Sequence, residues 1–496
     1  MITTTQTQTS DLKAEYNLGY VWLISIVAAM GGLLFGYDWV VIGGAKLFFE
    51  AHFNLPSIAQ SLSQSWLGQF SLLRFLGLGT IAGVSGFANS CALLGCLAGA
   101  LVAGALSDKF GRKKLLITSA FLFAITSIGN ALAPNFTIFV MWRILGGVGI
   151  GLASNLSPMY IAEIAPAQMR GKLVSINQLT IVIGILLAQV INWALVYNLP
   201  KLATQEYIHN SWYGQSAWRW MFGLTAIPSL LFFIGMFLVP ESPRWLAKNG
   251  KREPARAILR NIGGDTYSSA ALADIEATLV NEVEKVNFRD LFEPKLFRIL
   301  LLGVGLAVFQ QWCGINVIFN YAQEIFQSAG YDISDVLKNI AWTGSVNMAF
   351  TFVALGMVDR IGRRPLMLFG AAGLAVIYAI LALCYHQHVQ GFPMLLLVLA
   401  AIACYSMSLA PVTWVVISEI FPNRIRGAAM AVAVAALWLA CFVLTYSFPI
   451  LIAKFKAAGS FSLFAGICVV GFFFIWFALP ETKNKTLEQI ERELVD

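Results

Sequence analysis

The chain has 496 residues, 58% of them hydrophobic and only 12% Asp, Glu, Lys or Arg, with a formal net charge of +7. Soluble chains carry about 25% charged residues, so this composition excludes a soluble enzyme, a secreted disulfide module and a disordered scaffold. The apolar excess gathers into uncharged runs of roughly 20 residues, the length that crosses a bilayer as a helix, and the chain reads as an all-α polytopic membrane protein.

In chain order, 1–19 is a polar arm with no basic stretch leading into a short apolar core. No cleaved signal is expected, and the first apolar run stays as a helix. Apolar helices are predicted near 20–44, 86–106, 115–133, 137–158, 173–197 and 218–239. The pattern resumes near 297–327, 339–358, 366–385, 393–418, 428–451 and 459–479. Segment 66–84 is a further apolar stretch, interrupted by Arg74, and is read as an excursion on the outer face. With both termini cytoplasmic, the outer side then holds only Lys46, Arg74, Lys201, Arg219, Lys338, Lys454 and Lys456. Arg143 lies inside a span, and the rest of the 33 Lys and Arg lie inside. That asymmetry orients twelve spans and accounts for the net charge without a nucleic-acid partner.

The interval 240–296 is the only long soluble element. ARAILRNI and ALADIEATLVNEVEK have helical spacing with Gly263-Gly264 between them, so short amphipathic helices on the inner membrane face are expected. The division is therefore a cytoplasmic arm (1–19), a six-helix half (20–239), a helical linker (240–296), a second six-helix half (297–479) and a cytoplasmic tail (480–496). The seven cysteines include no CxxC and all fall in or beside apolar segments, which fits buried free thiols and gives no support to a metal or redox site.

The two halves repeat. GALSDKFGRKK (104–114) returns as GMVDRIGRRP (356–365), with Asp108 and Asp359 in register. YIAEIAPAQMRGK returns as VISEIFPNRIRGA, matching Glu163 with Glu419 and Arg170 with Arg426, and VPESPRW, with Glu241, is echoed by LPETKNK. Such parallel repeats belong to transporters that rock two halves about a midplane site. In each loop a glycine permits a tight turn, the acid faces a neighbouring helix N-terminus, and Arg112 or Arg363 faces carboxylates. Paired across the halves, these charges would form an ion-pair latch on the inner side; alternatively they only orient the chain.

Ionisable groups deep in the spans are few: Asp38 in GGLLFGYDWVVIGG and Arg143 in FVMWRILGGVGIGLAS. A charge at that depth is costly, so each is the other's expected partner. The pair is either a permanent strut or a carboxylate that takes up and releases a proton. A second set is uncharged: Gln178 on the fifth span, Gln310, Gln311, Asn316 and Asn320 on the seventh, and Asn347 on the eighth. Gly314 is expected to loosen the helix between the glutamines and Asn316. With Trp414 and Trp438, these amides and indoles match the hydroxyls and C–H faces of a sugar, although single amides also serve as glue between helices.

GLLFGYD, RILGGVGIGLAS, SPMYIAEIAP, RGKLVSINQ, PESPRWL, FQQWCGIN, SEIFPNRIRG and PETKNKT together resemble the sugar porter family of the major facilitator superfamily. The likeness covers nearly the whole chain and is nearer the bacterial proton-coupled members than the facilitative glucose carriers. It implies the major facilitator fold and alternating access. Sugar contacts would fall at Gln178, Gln310, Gln311, Asn316, Asn347, Trp414 and Trp438, with Asp38 as the proton-coupling carboxylate and Arg143 as its partner. The short tails and small outer loops favour a bacterial inner membrane over a eukaryotic plasma membrane, and a monomer that needs no cofactor beyond the proton is expected. Three positions depart from the proton-coupled pattern: Asn320 replaces a tyrosine, Leu437 a glutamine that contacts sugar, and Thr225 a glutamate that assists the proton relay. A proton–monosaccharide symporter is the leading expectation. A facilitative uniporter is the first alternative, and a transporter-like sugar sensor the second, although sensors carry long tails. No nucleophile, base or metal constellation supports an enzyme.

Overall fold

The computed structural model describes residues 16–65, 77, 79–200, 203–281, 291–422, 426–483, 485 and 489. The first half consists of α1 (Leu18–Phe53), α2 (Leu55–Gln64), α3 (Ile81–Phe110), α4 (Arg112–Ala131), α5 (Phe136–Ile164) and α6 (Arg170–Val196). It continues through α7 (Gln205–Asn210), a π-helical turn at Tyr213–Ala217, α8 (Trp218–Gly223) and α9 (Ala226–Leu238). Helices α10 (Pro243–Lys248) and α11 (Arg252–Asn281) form the connection between halves. The predicted Gly263-Gly264 break is present: Gly264 has φ +79°, which divides α11 in two. The second half holds α12 (Pro294–Trp312), α13 (Ile315–Asn320), α14 (Ala322–Ser328), α15 (Ile333–Ile361), α16 (Arg363–His386), α17 (Phe392–Ser406), α18 (Leu409–Ile420) and α19 (Arg426–Ala478).

Among the described residues, eleven helical stretches are long and apolar enough to cross a membrane, the last being Gly427–Ala478 with 52 residues. At 1.5 Å per residue that stretch would be about 78 Å long, against a hydrocarbon layer of about 30 Å. It is long enough to cross twice, and Lys456 (φ 57°, ψ −178°) breaks it; the described residues then hold twelve spans. Residues 66–76 and 78, which make up most of the predicted excursion, lie outside the described residues.

Local chemistry sets the helix ends. The side chains of Asn17, Thr80 and Asn135 accept hydrogen bonds from backbone N–H groups three residues on, capping α1, α3 and α5. Gly111 (φ +94°) and Gly362 (φ +106°) make the tight turns α3–α4 and α15–α16. The glycines of RILGGVGIGLAS let α5 lie directly on α3, since a Cβ at Gly147 would stand 1.9 Å from the carbonyl oxygen of Ala92.

The halves meet where α1 touches α13 and α14, where α3 touches α19, and where α6 touches α15. The close approaches fall at one end. A Cβ at Gly43 would lie 2.7 Å from the oxygen of Phe319, one at Gly86 would lie 2.3 Å from that of Tyr446, and one at Gly344 would lie 2.1 Å from Oε1 of Gln189. Helices α3 and α15 run from this end towards Gly111 and Gly362, so the molecule is closed at the end away from the repeated loops. Helix α1 also runs to Phe53, beyond its predicted end, and carries Lys46 as a buried residue.

Candidate functional site

Asp38 and Arg143 meet as predicted. Arg143 Nη1 on α5 donates to Asp38 Oδ1 on α1 at 2.9 Å, with both side chains nearly enclosed. The guanidinium also lies 5.2 Å from the centroid of Phe222, a cation–π placement that supports it on the other side. Asp38 Oδ2 and Arg143 Nε are buried without a hydrogen-bond partner. Beside them is a cavity with room for about one water molecule, lined by Asp38, Trp39, Asn89, Cys96, Arg143 and, from the second half, Asn320. Asn320 thus stands beside the ion pair. Thr225 is buried at the start of α9.

The break at Gly314 is real: its φ of +89° separates α12 from α13. The amides flanking it form one chain. Gln311 Nε2 donates to Gln310 Oε1 at 3.1 Å, and Asn316 Nδ2 reaches back across the break to Gln311 Oε1. Gln310 Nε2 reaches the carbonyl of Ala410 on α18 at 3.4 Å, and Asn347 Oδ1 accepts from Ser406 Oγ at 2.6 Å. All four amides are buried. Trp438 is buried with its Nε1 unpartnered. Its ring lies against Phe35 at 5.9 Å and Trp39 at 5.8 Å, both on the opposite half. Gln178 is half-buried on α6, and Trp414 on α18 is 38% exposed. The structure therefore joins Gln310, Gln311 and Asn316 directly, Asn347 joins Ser406, and Gln178 and Trp414 stand apart from that chain.

At the loop end the charges pair within each half. Arg112 holds Glu163 through Nε and Nη2 at 3.0–3.2 Å and Asp108 through Nη1 at 3.1 Å. Arg363 Nη2 meets Glu419 at 3.3 Å. The acid that caps the helix is not the loop aspartate. Glu241 Oε1 accepts from the backbone N–H groups of Arg112 and Lys113, and Glu481 accepts from those of Arg363 and Arg364. Asp108 instead bridges Arg112 and Lys248. The reason is steric: each glycine leaves the space its Cβ would fill to the glutamate, 2.2 Å from Glu241 and 2.8 Å from Glu481. Arg170 begins α6, and Asp359 and Arg426 lie on α15 and α19 with side chains outside the described residues.

Sequence reasoning missed Glu481, though LPETKNK echoes VPESPRW; it missed Phe35 and Trp39, which lie in GGLLFGYDWVVIGG beside Asp38, and Asn89, which no motif marks. Among the described residues no cluster of His, Cys, Asp and Glu could hold a metal.

The family model for "Sugar (and other) transporter" matches residues 24–494. The chain is 39% identical to the D-xylose-proton symporter of Escherichia coli (strain K12), over 97% of each chain. It is 38% identical to the glucose transport protein of Synechocystis, over 97% of this chain and 99% of that one. It superposes on the xylose transporter XylE from E. coli in a partially occluded inward-open conformation. The TM-score is 0.79 at 36% identity, covering 94% of this chain and all of that one. These relatives carry sugars and are not enzymes. The twelve-helix duplicated fold and the whole-length likeness place the chain in the sugar transporter family of the major facilitator superfamily, as a multi-pass membrane protein.

Proposed function

We propose that the protein is a proton-coupled symporter of a monosaccharide, a pentose of the xylose kind or a hexose, working by alternating access. The observation that carries this reading is the half-satisfied Asp38–Arg143 pair beside a cavity that reaches Asn320 in the other half. Burial makes an unpaired carboxylate costly, so Asp38 binds a proton when Arg143 swings away and releases it when the pair re-forms. The amide chain Gln310–Gln311–Asn316 is held together by its own hydrogen bonds. Sugar hydroxyls replace those bonds one for one, with Gln178 and Asn347 completing the polar wall and Trp438 and Trp414 facing the C–H surface. Asp108, Arg112, Glu163, Arg170 and Glu241, with Asp359, Arg363, Glu419 and Arg426, form the gate on the cytoplasmic side. There the pairs made by Arg112 and Arg363 hold each half rigid while the halves part. The six-helix halves span 20–239 and 297–479, joined by the linker 240–296. No cofactor is needed, the bilayer is the only other partner, and one chain is the working unit in a bacterial inner membrane with both termini inside.

Purified protein in vesicles tests this directly: uptake of labelled xylose, arabinose and glucose is measured with and without an imposed pH gradient. Accumulation that a protonophore abolishes supports symport. Equal, gradient-independent uptake favours a facilitative uniporter, the reading that Thr225 supports, since a hydroxyl there cannot relay a proton as a carboxylate would.

A further inference from the structure

A second buried charge group joins the halves at the closed end. Lys46 on α1, whose side chain is 8% exposed, pairs with Glu324 in the first turn of α14. Its ammonium also lies 4.7 Å from the centroid of Tyr321 and 3.9 Å from Glu50 Oε1, one helical turn along α1. Glu50 is fixed in turn by Ser85 Oγ on α3, while Tyr321 is tied through its hydroxyl to the carbonyl of Thr445 on α19 at 2.6 Å. One lysine thus faces carboxylates from both halves. The two halves are the bodies that must separate for the midplane to open to this side.

We propose that Lys46 and Glu324 are a latch that holds this mouth shut and sets the balance between the two open states. The inference rests on the alternating-access part of the reading above, not on the sugar or the proton. An ion pair suits the task because its strength depends on its surroundings. In the closed, low-dielectric seam the attraction is large, and once the halves part and water enters it falls steeply. The latch is therefore strong only when engaged. Glu50 has a distinct part. It shares α1 with Lys46, so it stays beside the ammonium as Glu324 withdraws and spares the lysine a bare intermediate.

The test uses the full-length protein in lipid nanodiscs, with Cys384→Ser and spin labels at S61C on α2 and K338C on α15. Both positions are exposed and lie at this end on opposite halves. Pulsed EPR reads the distance between them without any substrate. The parent gives mainly the short distance. Lys46→Ala and Glu324→Gln each raise the ratio of long to short distance roughly a hundredfold or more, so that the long distance predominates, the scale expected when one partner of a buried pair is removed. The double variant shifts it no further than either single one. Glu324→Gln keeps the shape of the side chain, so it carries the test alone if Lys46→Ala does not fold. Unchanged distances in Glu324→Gln, or shifts that simply add in the double variant, would overturn the latch. Failure of the transport reading would show separately, as no sugar uptake by the parent.

Discussion

Arg143 binds Asp38 through one nitrogen and one oxygen, leaving Asp38 Oδ2 buried and unpartnered beside the small cavity. A permanent strut between a guanidinium and a carboxylate favours the two-pronged arrangement. The single contact leaves an oxygen free to receive the proton as Arg143 withdraws. Asp38→Asn should therefore fix the protonated form. We expect counterflow exchange of labelled sugar to persist while accumulation under a pH gradient falls to the equilibrium level. Retained accumulation in this variant would remove Asp38 from the coupling step.

Gln311 occupies the middle of the amide chain, accepting from Asn316 and donating to Gln310. Its loss frees two partners, and so does that of Gln310, which also holds the carbonyl of Ala410, so Gln311→Ala and Gln310→Ala should both weaken sugar binding. A buried amide left unpaired costs about 1–3 kcal/mol, a fall of roughly 5- to 150-fold in affinity. Titration calorimetry or tryptophan quenching with xylose and glucose measures it, and Asn316→Ala should fall in the same range.

Leu437 is buried next to Trp438. Leu437→Gln would add an amide to a wall that has none at this point, and preference should move towards xylose-like pentoses. Competition of labelled xylose uptake by a panel of pentoses and hexoses reads the change. An unaltered ranking would place Leu437 outside the sugar's reach.

Arg112 uses Nε, Nη1 and Nη2 at once, towards Glu163, Asp108 and the carbonyl of Ser107. A lysine has the charge but not this fork. Arg112→Lys should slow transport nearly as much as Arg112→Ala does, and initial uptake rates at saturating sugar decide it. If Arg112→Lys transports at the parent rate, charge alone suffices and the loop arginines only orient the chain.

Gly314 carries φ +89°, and a Cβ there would stand 2.9 Å from Cγ of Phe464. Gly314→Ala should cost about 1–2 kcal/mol from the backbone alone, more if Phe464 cannot move. A lower melting midpoint in detergent, together with weaker sugar binding, is the expected result, because the break also brings Asn316 back to Gln311.

The spans and the duplication were legible in the sequence because both depend on local pattern. Apolar runs of bilayer length, and glycines between Asp108 and Arg112 or Asp359 and Arg363, are visible without a fold. The Asp38–Arg143 contact was legible for a different reason: two lone charges in an apolar interior have few other partners. What stayed hidden depends on geometry between distant segments. Nothing in DKFGRKK says that Glu241 will take the helix end from Asp108; the space beside Gly111 decides that. Lys46 looked like a loop residue because its charge ended the apolar run, whereas in the fold two carboxylates let α1 carry it on to Phe53. Asn320 sat in a run of amides along the chain, but the broken helix turns it towards Arg143.

Trp438 of one half rests against Phe35 and Trp39 of the other. Ring faces attract through many weak contacts, each worth about 0.1–0.2 kcal/mol, with no single direction that must be kept. Such a seam resists separation yet offers little friction to sliding, like a bearing greased with its own surface. A hydrogen-bonded joint here would have to break before the halves could turn. The aromatic one would let them roll past each other under the proposed mechanism, and a sugar ring bound at Trp438 would replace one aromatic contact with another.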